Sequence, residues 1–204
     1  MTASLRHSPK PVDQRTNHQS GQALAGIGPL AAFAERPPLH LVVPEGQLQV
    51  YTAPYRGSFS AVLSQAVRAA GLGRRVMVAQ FLKGGVEQGP QGSVRLCGRL
   101  DWLRPAVEGC LSEPAAELES DSTALDAVQA IWQACRERIL ASDLDHLVLD
   151  EVGLAVDLGY LDGEEVLSTL QQRPGSMDVI LTGSSIPSLL IGMADQVTQL
   201  RRGF

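Results

Sequence analysis

Residues 48–71 read LQVYTAPYRGSFSAVLSQAVRAAG, and the fold class can be inferred from this stretch first. It begins with an aliphatic and β-branched run, typical of a strand, and then turns at Pro54 and Gly57. After the turn, apolar residues such as Val62 and Ala66 recur at helical spacing, so that one face of a helix is apolar. The stretch therefore predicts a strand, a tight loop and a helix whose apolar face packs on the core.

The rest of the chain repeats this alternation of strands and helices. Strands are predicted at residues 47–52, 75–80, 93–97, 146–150, 178–182 and 196–200, and helices at residues 59–70, 122–140, 163–171 and 188–193. Residues 101–120 show no period and are predicted to form a long loop. His146 begins a buried strand and is expected to be structural. The alternation predicts an α/β fold, with a parallel sheet of five or six strands and helices on both faces.

The composition excludes several classes of function. The 204 residues carry a net charge of −5, so the chain as a whole does not attract nucleic acid or an anionic membrane, and a local basic patch is the alternative that stays open. Only 4% of the residues are aromatic, which argues against a surface that stacks nucleic-acid bases. No apolar run approaches the roughly 20 residues of a membrane span and no secretory signal is recognised, so a cytoplasmic location is expected. The cysteines, Cys97, Cys110 and Cys135, have no metal-like spacing and are expected to be reduced, mostly buried thiols.

The first 45 residues differ in character from the rest. Residues 1–20 are polar and without a hydrophobic period, which predicts disorder; the alternative is an organelle-targeting segment, because acidic residues are few there. Residues 22–34, QALAGIGPLAAFA, are apolar but broken by glycine and proline, and are expected to dock on the domain or on a partner protein. Residues 39–43 are a candidate edge strand. We therefore predict an N-terminal extension over residues 1–45 and an α/β domain over residues 46–204.

The loop after the first strand resembles the phosphate-binding loop of P-loop proteins, whose pattern is A/G-x-x-x-x-G-K-S/T. With Thr52 at the first position, Gly57 lies on the required glycine. Ser58 then lies on the lysine, and Phe59 on the hydroxyl residue that binds Mg²⁺. The strand–loop–helix scaffold is present, but the lysine and the hydroxyl residue are replaced.

The remaining loop residues do not restore what is lost. Pro54 lacks one of the backbone N–H groups that surround a phosphate. Ser60 lies about 100° further around the helix than the metal-binding position. Arg56 is a cation that can still meet an anion. Two interpretations stay open: the loop does not support Mg-ATP chemistry, or it binds a nucleotide in an altered way.

Polar residues also follow three other predicted strands. Asp150 and Glu151 come directly after an apolar strand, as in a metal site beside a phosphate loop, although such a pair also serves as a helix cap or a solvated surface. Lys83 is a candidate phosphate contact or a solvated lysine, and Thr182 and Gly183 bind an anion or form a simple turn. Because the carboxyl ends of parallel strands meet at one edge of a sheet, these segments are expected to converge.

Several segments resemble, in order, the P-loop ATP:corrinoid adenosyltransferases. They are QVYTAPYRGSFSA (49–61), VRAAGLGRRVMVAQFLKGG (67–85), LVLDEV (147–152), GYLDGEEVLSTLQQRPGSMDVILTGS (159–184) and ADQVTQLR (194–201). The resemblance implies a P-loop NTPase-like fold, a homodimer, and transfer of the 5′-deoxyadenosyl group of ATP to cob(I)alamin or a corrinoid precursor. It implies ATP, a corrinoid and a divalent metal such as Mg²⁺ as ligands. It further implies that the loop at 52–60, with Gln80, Phe81 and Lys83, binds the nucleotide beside the metal-side pair Asp150 and Glu151.

The chain departs from the family pattern where the chemistry is carried. Besides Ser58 and Phe59, Ser184 stands where the family has an arginine after Thr182 and Gly183. The family's aromatic corrinoid loop, with its F-T-W segment, has no counterpart in residues 109–122, and its tail after residue 201 has none either. We therefore predict a pseudoenzyme, an impaired homologue that acts as a binding or regulatory protein. The alternative is an active adenosyltransferase of cobalamin metabolism to which other loops supply cations.

Overall fold

The computed structural model describes residues 44–57, 59–117 and 122–201, all within the second of the two units into which the chain divides, Val42–Phe204. The docking segment predicted at 22–34, the candidate strand at 39–43 and all of the predicted extension except Pro44 and Glu45 lie outside the described residues. Within the described ranges, no helix is both long enough and apolar enough to cross a bilayer.

Strands and helices alternate along the described residues. The strands are β1 (Leu48–Thr52), β2 (Val76–Gln80), β3 (Val94–Leu96), β4 (Leu100–Leu103), β5 (His146–Asp150), β6 (Asp178–Gly183) and β7 (Gln196–Gln199). The helices are α1 (Ser60–Gly71), α2 (Ser122–Leu140), α3 (Val152–Asp157), α4 (Gly163–Gln171) and α5 (Ser188–Gly192), with a short 3-10 turn at Ala115–Glu117. The bounds of α2, β5 and α4 are those that the sequence predicts.

The strands form one sheet in the order β3-β4-β2-β5-β6-β1-β7. All neighbouring pairs are parallel except the edge pair β3 and β4, which is antiparallel. The carboxyl ends of β1, β2, β5 and β6 therefore meet at the same edge of the sheet. This arrangement confirms the predicted α/β fold.

Two apolar cores lie on the two faces of the sheet, because successive strand residues point to opposite sides. In β2, Met77 and Ala79 belong to the core that also contains buried residues of α2, α3, α4 and α5. Val76 and Val78 belong to the second core, which α1 covers. Helices thus lie on both faces, as predicted.

Residues 100–103, LDWL, form the buried parallel strand β4 rather than part of a loop, so the prediction for this segment is wrong. Asp101 interrupts the apolar run, but its carboxylate accepts hydrogen bonds from Arg95 Nε at 2.8 Å and Arg138 Nη1 at 3.0 Å. Burial pushes the pKa of Asp101 upward, and the bonds from these two arginines outweigh burial, so the pKa is lowered. The two ion pairs make a carboxylate tolerable inside the sheet. With β4 included, the sheet has seven strands and not the predicted five or six.

The environment of the cysteines also differs from the expectation. Cys135 is buried in α2, and burial raises the pKa of its thiol to about 12. Cys97 and Cys110 are exposed, so the expectation that the thiols are mostly buried is wrong. Cys97 lies in the turn between β3 and β4, and Cys110 lies in the loop after β4, where it bridges to Lys83.

Candidate functional site

Asp150 is the centre of a polar cluster at the carboxyl edge of the sheet. Asp150 is the last residue of β5 and is 1% exposed. Oδ2 accepts hydrogen bonds from Lys83 Nζ and from Gln80 Nε2, each at 2.6 Å, and Oδ1 accepts one from Thr182 Oγ1 at 2.5 Å. The cluster therefore joins the ends of β2, β5 and β6, and Asp150 is a carboxylate with three donors.

Glu151 follows in a left-handed backbone conformation, with φ of 61°, directly before α3. Arg56 from the loop after β1 binds it through two bonds, Nε to Oε1 at 2.8 Å and Nη2 to Oε2 at 3.1 Å. Arg56 Nη2 also donates to the carbonyl oxygen of Leu82 at 3.2 Å. The hydrogen bond to Glu151 raises the pKa of Arg56 against the opposing effect of burial. A guanidinium–carboxylate pair of this fork-to-fork type is among the strong polar interactions of proteins.

The turn from Glu151 into α3 depends on close backbone packing. A side chain at Gly153 would place its Cβ 1.9 Å from the carbonyl oxygen of Ser185. The absence of a side chain lets the start of α3 lie directly against the loop after β6. The backbone N–H of Glu151 donates to Thr182 Oγ1 at 3.3 Å, which links the same two segments.

The loop after β2 is held by a second backbone contact. Gly84 N donates to Gly109 O at 2.8 Å, and a Cβ at Gly84 would lie only 2.4 Å from the carbonyl oxygens of Val107 and Gly109. Lys83 and Cys110 form an isolated antiparallel bridge beside this contact. The segment 107–111 therefore fixes the backbone of Lys83, whose ammonium group points to Asp150.

The loop after β1, which the sequence predicts to be a phosphate loop, is anchored by an apolar side chain. Phe59, at the position of the metal-binding hydroxyl residue, is 5% exposed and lies in the core beneath α1 with Ala53 and Val62. It is the N-cap of α1, and no side chain caps this helix end. Among the described loop residues, 53–57 and 59, none has a positive φ. That part of the loop therefore lacks the alternating right- and left-handed residues by which backbone N–H groups enclose an anion.

The other predicted site residues lie around this loop. Thr52 pairs with Gly183 of β6 and with Gln199 of β7, and the N–H of Ala53 donates to Gly183 O at 3.3 Å. Gly57 lies beside the ring of Tyr55, where an added Cβ would be 3.5 Å from the ring. Ser60 is the exposed first residue of α1. Ser58 lies outside the described residues.

The structure thus brings together six of the predicted residues through side-chain contacts. They are Arg56, Gln80, Lys83, Asp150, Glu151 and Thr182. The expected convergence of the four strand ends is present. Their arrangement is an internally neutralised cluster, because each carboxylate is paired with a cation of the same chain.

The carboxylates do not fit a Mg²⁺ site as they are arranged. Mg²⁺ needs oxygen ligands in near-octahedral geometry. Both oxygens of Glu151 are bound by Arg56, and both oxygens of Asp150 accept hydrogen bonds from protein side chains. Arg56 and Lys83 already place positive charge beside these carboxylates, which disfavours the binding of a metal cation there. The side chain of Phe59 has no oxygen that could bind one. Within the described ranges, no group of three or more histidine, cysteine, aspartate or glutamate side chains is placed to hold a metal ion.

Sequence reasoning missed two residues of this site, Trp102 and Arg104. Trp102 Nε1 donates to Gln80 Oε1 at 2.9 Å, and Arg104 Nε donates to the same oxygen at 2.7 Å. These two donors turn the amide group of Gln80 so that its nitrogen faces Asp150. The sequence feature that could have identified them is the W-x-R spacing at the end of β4, which places both side chains on one face of a strand. The segment is predicted to be a loop, in which this spacing carries no such information.

Comparisons with known proteins agree on one family. The family model described as "ATP:corrinoid adenosyltransferase BtuR/CobO/CobP" matches residues 44–203. The corrinoid adenosyltransferase CobA of Salmonella typhimurium is 35% identical over 159 residues, which cover 76% of each chain. The corrinoid adenosyltransferase of Escherichia coli K12 is 31% identical over 156 residues, again 76% of each chain. An uncharacterised Nostoc protein is 28% identical over 170 residues that cover 76% of this chain and 44% of that protein.

Proposed function

The chain belongs to the ATP:corrinoid adenosyltransferase family, and on that premise we propose that it is strongly impaired in adenosyl transfer. In this proposal it acts as a binding or regulatory protein in cobalamin metabolism. The observation that carries the proposal is the internal neutralisation of the acidic pair, Asp150 by Lys83 and Glu151 by Arg56. A site in this state has no carboxylate left over for a metal ion.

The chemistry of the reaction explains why these changes matter together. Transfer of the adenosyl group forms a bond between cobalt and C5′ of ATP and breaks the bond from C5′ to the triphosphate, which leaves with its negative charge. Such a charge must be stabilised by cations or a metal placed in advance. In a Walker A loop the lysine and the Mg²⁺ on the hydroxyl residue supply that charge. Ser58 and Phe59 supply neither.

The loss of catalysis is tested by the affinity for Mg-ATP. Isothermal titration of the full chain with Mg-ATP is expected to give no binding in the micromolar range, because a neutral serine stands where a charged lysine would bind the phosphates. The S. typhimurium relative, titrated under the same conditions, serves as the control. Micromolar binding of Mg-ATP by this chain would contradict the proposal.

An active adenosyltransferase is the second candidate, and the cations Arg56, Lys83 and Arg104 at the strand ends favour it. Formation of adenosylcobalamin from Mg-ATP and chemically reduced cobalamin separates the two candidates. We expect a rate at least about 100-fold below that of the same relative, the order of loss that follows removal of one key stabilising donor. A comparable rate would establish the second candidate.

We also propose that the chain forms a homodimer and that residues 22–34 contact a protein partner or the second copy. The family resemblance motivates the dimer, and the apolar composition of the segment motivates the contact. Light scattering after gel filtration should then give twice the chain mass of 21.8 kDa. If a chain without residues 1–38 keeps its oligomeric state and its pull-down partners, the role of the segment is refuted.

A further inference from the structure

Arg104 is a third cation at the carboxyl edge of the sheet. It directly follows β4, which pairs in parallel with β2, so it lies beside Gln80 at the end of β2. Its Nε donates to Gln80 Oε1 at 2.7 Å, and its guanidinium carbon lies 5.8 Å from the centre of the Trp102 ring. Its backbone N–H donates to Gln88 O at 2.9 Å. Two contacts therefore position the side chain, and a third holds its backbone.

No carboxylate of the described residues lies within 4.0 Å of the Arg104 guanidinium nitrogens. In contrast, Arg56 and Lys83 each have an acidic partner. A guanidinium group carries five N–H donors in a planar fork, and Gln80 accepts from Nε. The two Nη atoms, which suit bidentate binding of an oxyanion, have no acceptor among the described residues.

Arg104 belongs to the same cluster as the acidic pair. Gln80 accepts from Arg104 with its oxygen and donates to Asp150 with its nitrogen, and Asp150 in turn accepts from Lys83. The cluster then holds three cations, Arg56, Lys83 and Arg104, against two carboxylates, Asp150 and Glu151. Among the described residues, one positive charge of this cluster therefore has no carboxylate partner. An uncompensated, half-buried arginine stacked on an aromatic ring is suited to binding an anion.

We propose that Arg104 binds a phosphate-type oxyanion in the absence of a metal ion. The two Nη atoms hold two oxygens of the anion. The inference rests on the proposed loss of Mg-dependent chemistry, because it assigns the ligand class of the site that remains. In this proposal the anion binds at the end of β4 and not at the predicted phosphate loop after β1.

Titration with inorganic pyrophosphate in the presence of EDTA tests this inference. The full chain is expected to bind pyrophosphate, more weakly at higher salt, because salt screens the attraction between a partly exposed cation and an anion. Arg104→Gln should raise the dissociation constant by about tenfold or more, the effect of losing charge-assisted hydrogen bonds. Arg99→Gln is the matched control: it removes the same charge from an exposed position at the opposite end of β4 and should change the constant by less than about twofold.

The variant Arg104→Lys distinguishes a loss of binding from a loss of folding. It keeps the charge but loses the fork, and it should bind pyrophosphate several-fold more weakly than the original chain, with an unchanged melting temperature. The inference is overturned if the original chain does not bind pyrophosphate in EDTA, or if both Arg104 variants bind as well as it does.

The two proposals fail in different ways. Adenosyl transfer at a normal rate with Mg-ATP would overturn the proposed function, and binding that requires Mg²⁺ would overturn both proposals. If Arg104-dependent binding persists in EDTA while adenosyl transfer is also detected, the oxyanion site stands and only the loss of catalysis is refuted. Uncharged adenosine should not bind at this site, and equal binding of adenosine and pyrophosphate would also overturn the inference.

Discussion

Phe59 shows at the residue scale how a position that the phosphate-loop pattern predicts to bind a metal ion belongs to the apolar core. Its ring is 5% exposed and packs beneath α1. Replacement by serine would restore the hydroxyl group of a phosphate loop at the expense of a buried ring. We expect Phe59→Ser to lower the free energy of unfolding by about 3–5 kcal/mol, the usual loss for a large-to-small change at a buried phenylalanine.

Urea denaturation measures this loss. Ser60→Ala is the control, because Ser60 is the exposed neighbour at the start of α1 and its replacement should stay within about 0.5 kcal/mol. A loss below about 1 kcal/mol for Phe59→Ser would mean that the ring does not anchor the helix. A stable serine variant would also show that the hydroxyl residue of the phosphate-loop pattern can be reintroduced without unfolding the protein.

His146 supplies a pH-dependent contribution to stability. Burial lowers the pKa of its imidazole, and the nearby Asp178 opposes this effect; Asp178 Oδ2 lies 3.9 Å from Nδ1 but is already paired with Arg74 at 2.6 Å. Because the pKa in the folded state lies below the unfolded value of about 6.5, the unfolded chain takes up the proton first. Stability is therefore present above pH 6.5 and falls as the pH is lowered towards the folded pKa.

The variant His146→Leu should flatten this dependence. Unfolding in urea is compared between about pH 7.5 and pH 5.5, where the original chain is expected to lose stability and the variant to lose less. Parallel curves for the two chains would show that His146 is not buried in its neutral form. The test also checks the prediction that this histidine is structural.

At the scale of elements, the sequence predicts those segments whose apolar pattern is uninterrupted. Helix α2 and strand β5 have the predicted bounds because buried residues recur in them at regular spacing. Strand β4 was missed because Asp101 breaks its pattern, and only the folded chain brings Arg95 and Arg138 to that carboxylate. A local pattern cannot report a compensation that depends on strand pairing with β3 and on the packing of α2 against the sheet.

The same limit applies to the candidate site. Strand ends of a parallel sheet meet at one edge, so the sequence predicts that Lys83, Asp150 and Thr182 lie close together. It does not predict which cation pairs with which carboxylate, since that depends on loop conformation. The pairing of Arg56 with Glu151 and the role of Arg104 are of this kind. The interpretation of the acidic pair as a metal site depends on these partners.

At the scale of the whole molecule, ion pairs connect segments that are far apart in the chain. Arg56 and Glu151 are separated by 95 positions and join the loop after β1 to the start of α3. Lys83 and Asp150 join the loop after β2 to the end of β5. The sheet edge that would bind a ligand is therefore also a set of cross-links within the fold, and a change of charge there alters stability as well as binding.

A double-mutant cycle on Arg56 and Glu151 tests this view of the edge. Arg56→Gln leaves the carboxylate of Glu151, whose side chain is 2% exposed, without its partner, and should lower the free energy of unfolding by about 3 kcal/mol. Glu151→Gln should cost less, because the Arg56 side chain is 31% exposed and can turn to water. The double variant should recover part of the loss, with a coupling of about 2 kcal/mol.

The exposed pair Arg136 and Glu165, 3.6 Å apart, is the matched control and should show a much smaller coupling. Additive effects at Arg56 and Glu151 would mean that the two charges do not stabilise each other, and Glu151 would then be available to a metal ion after all.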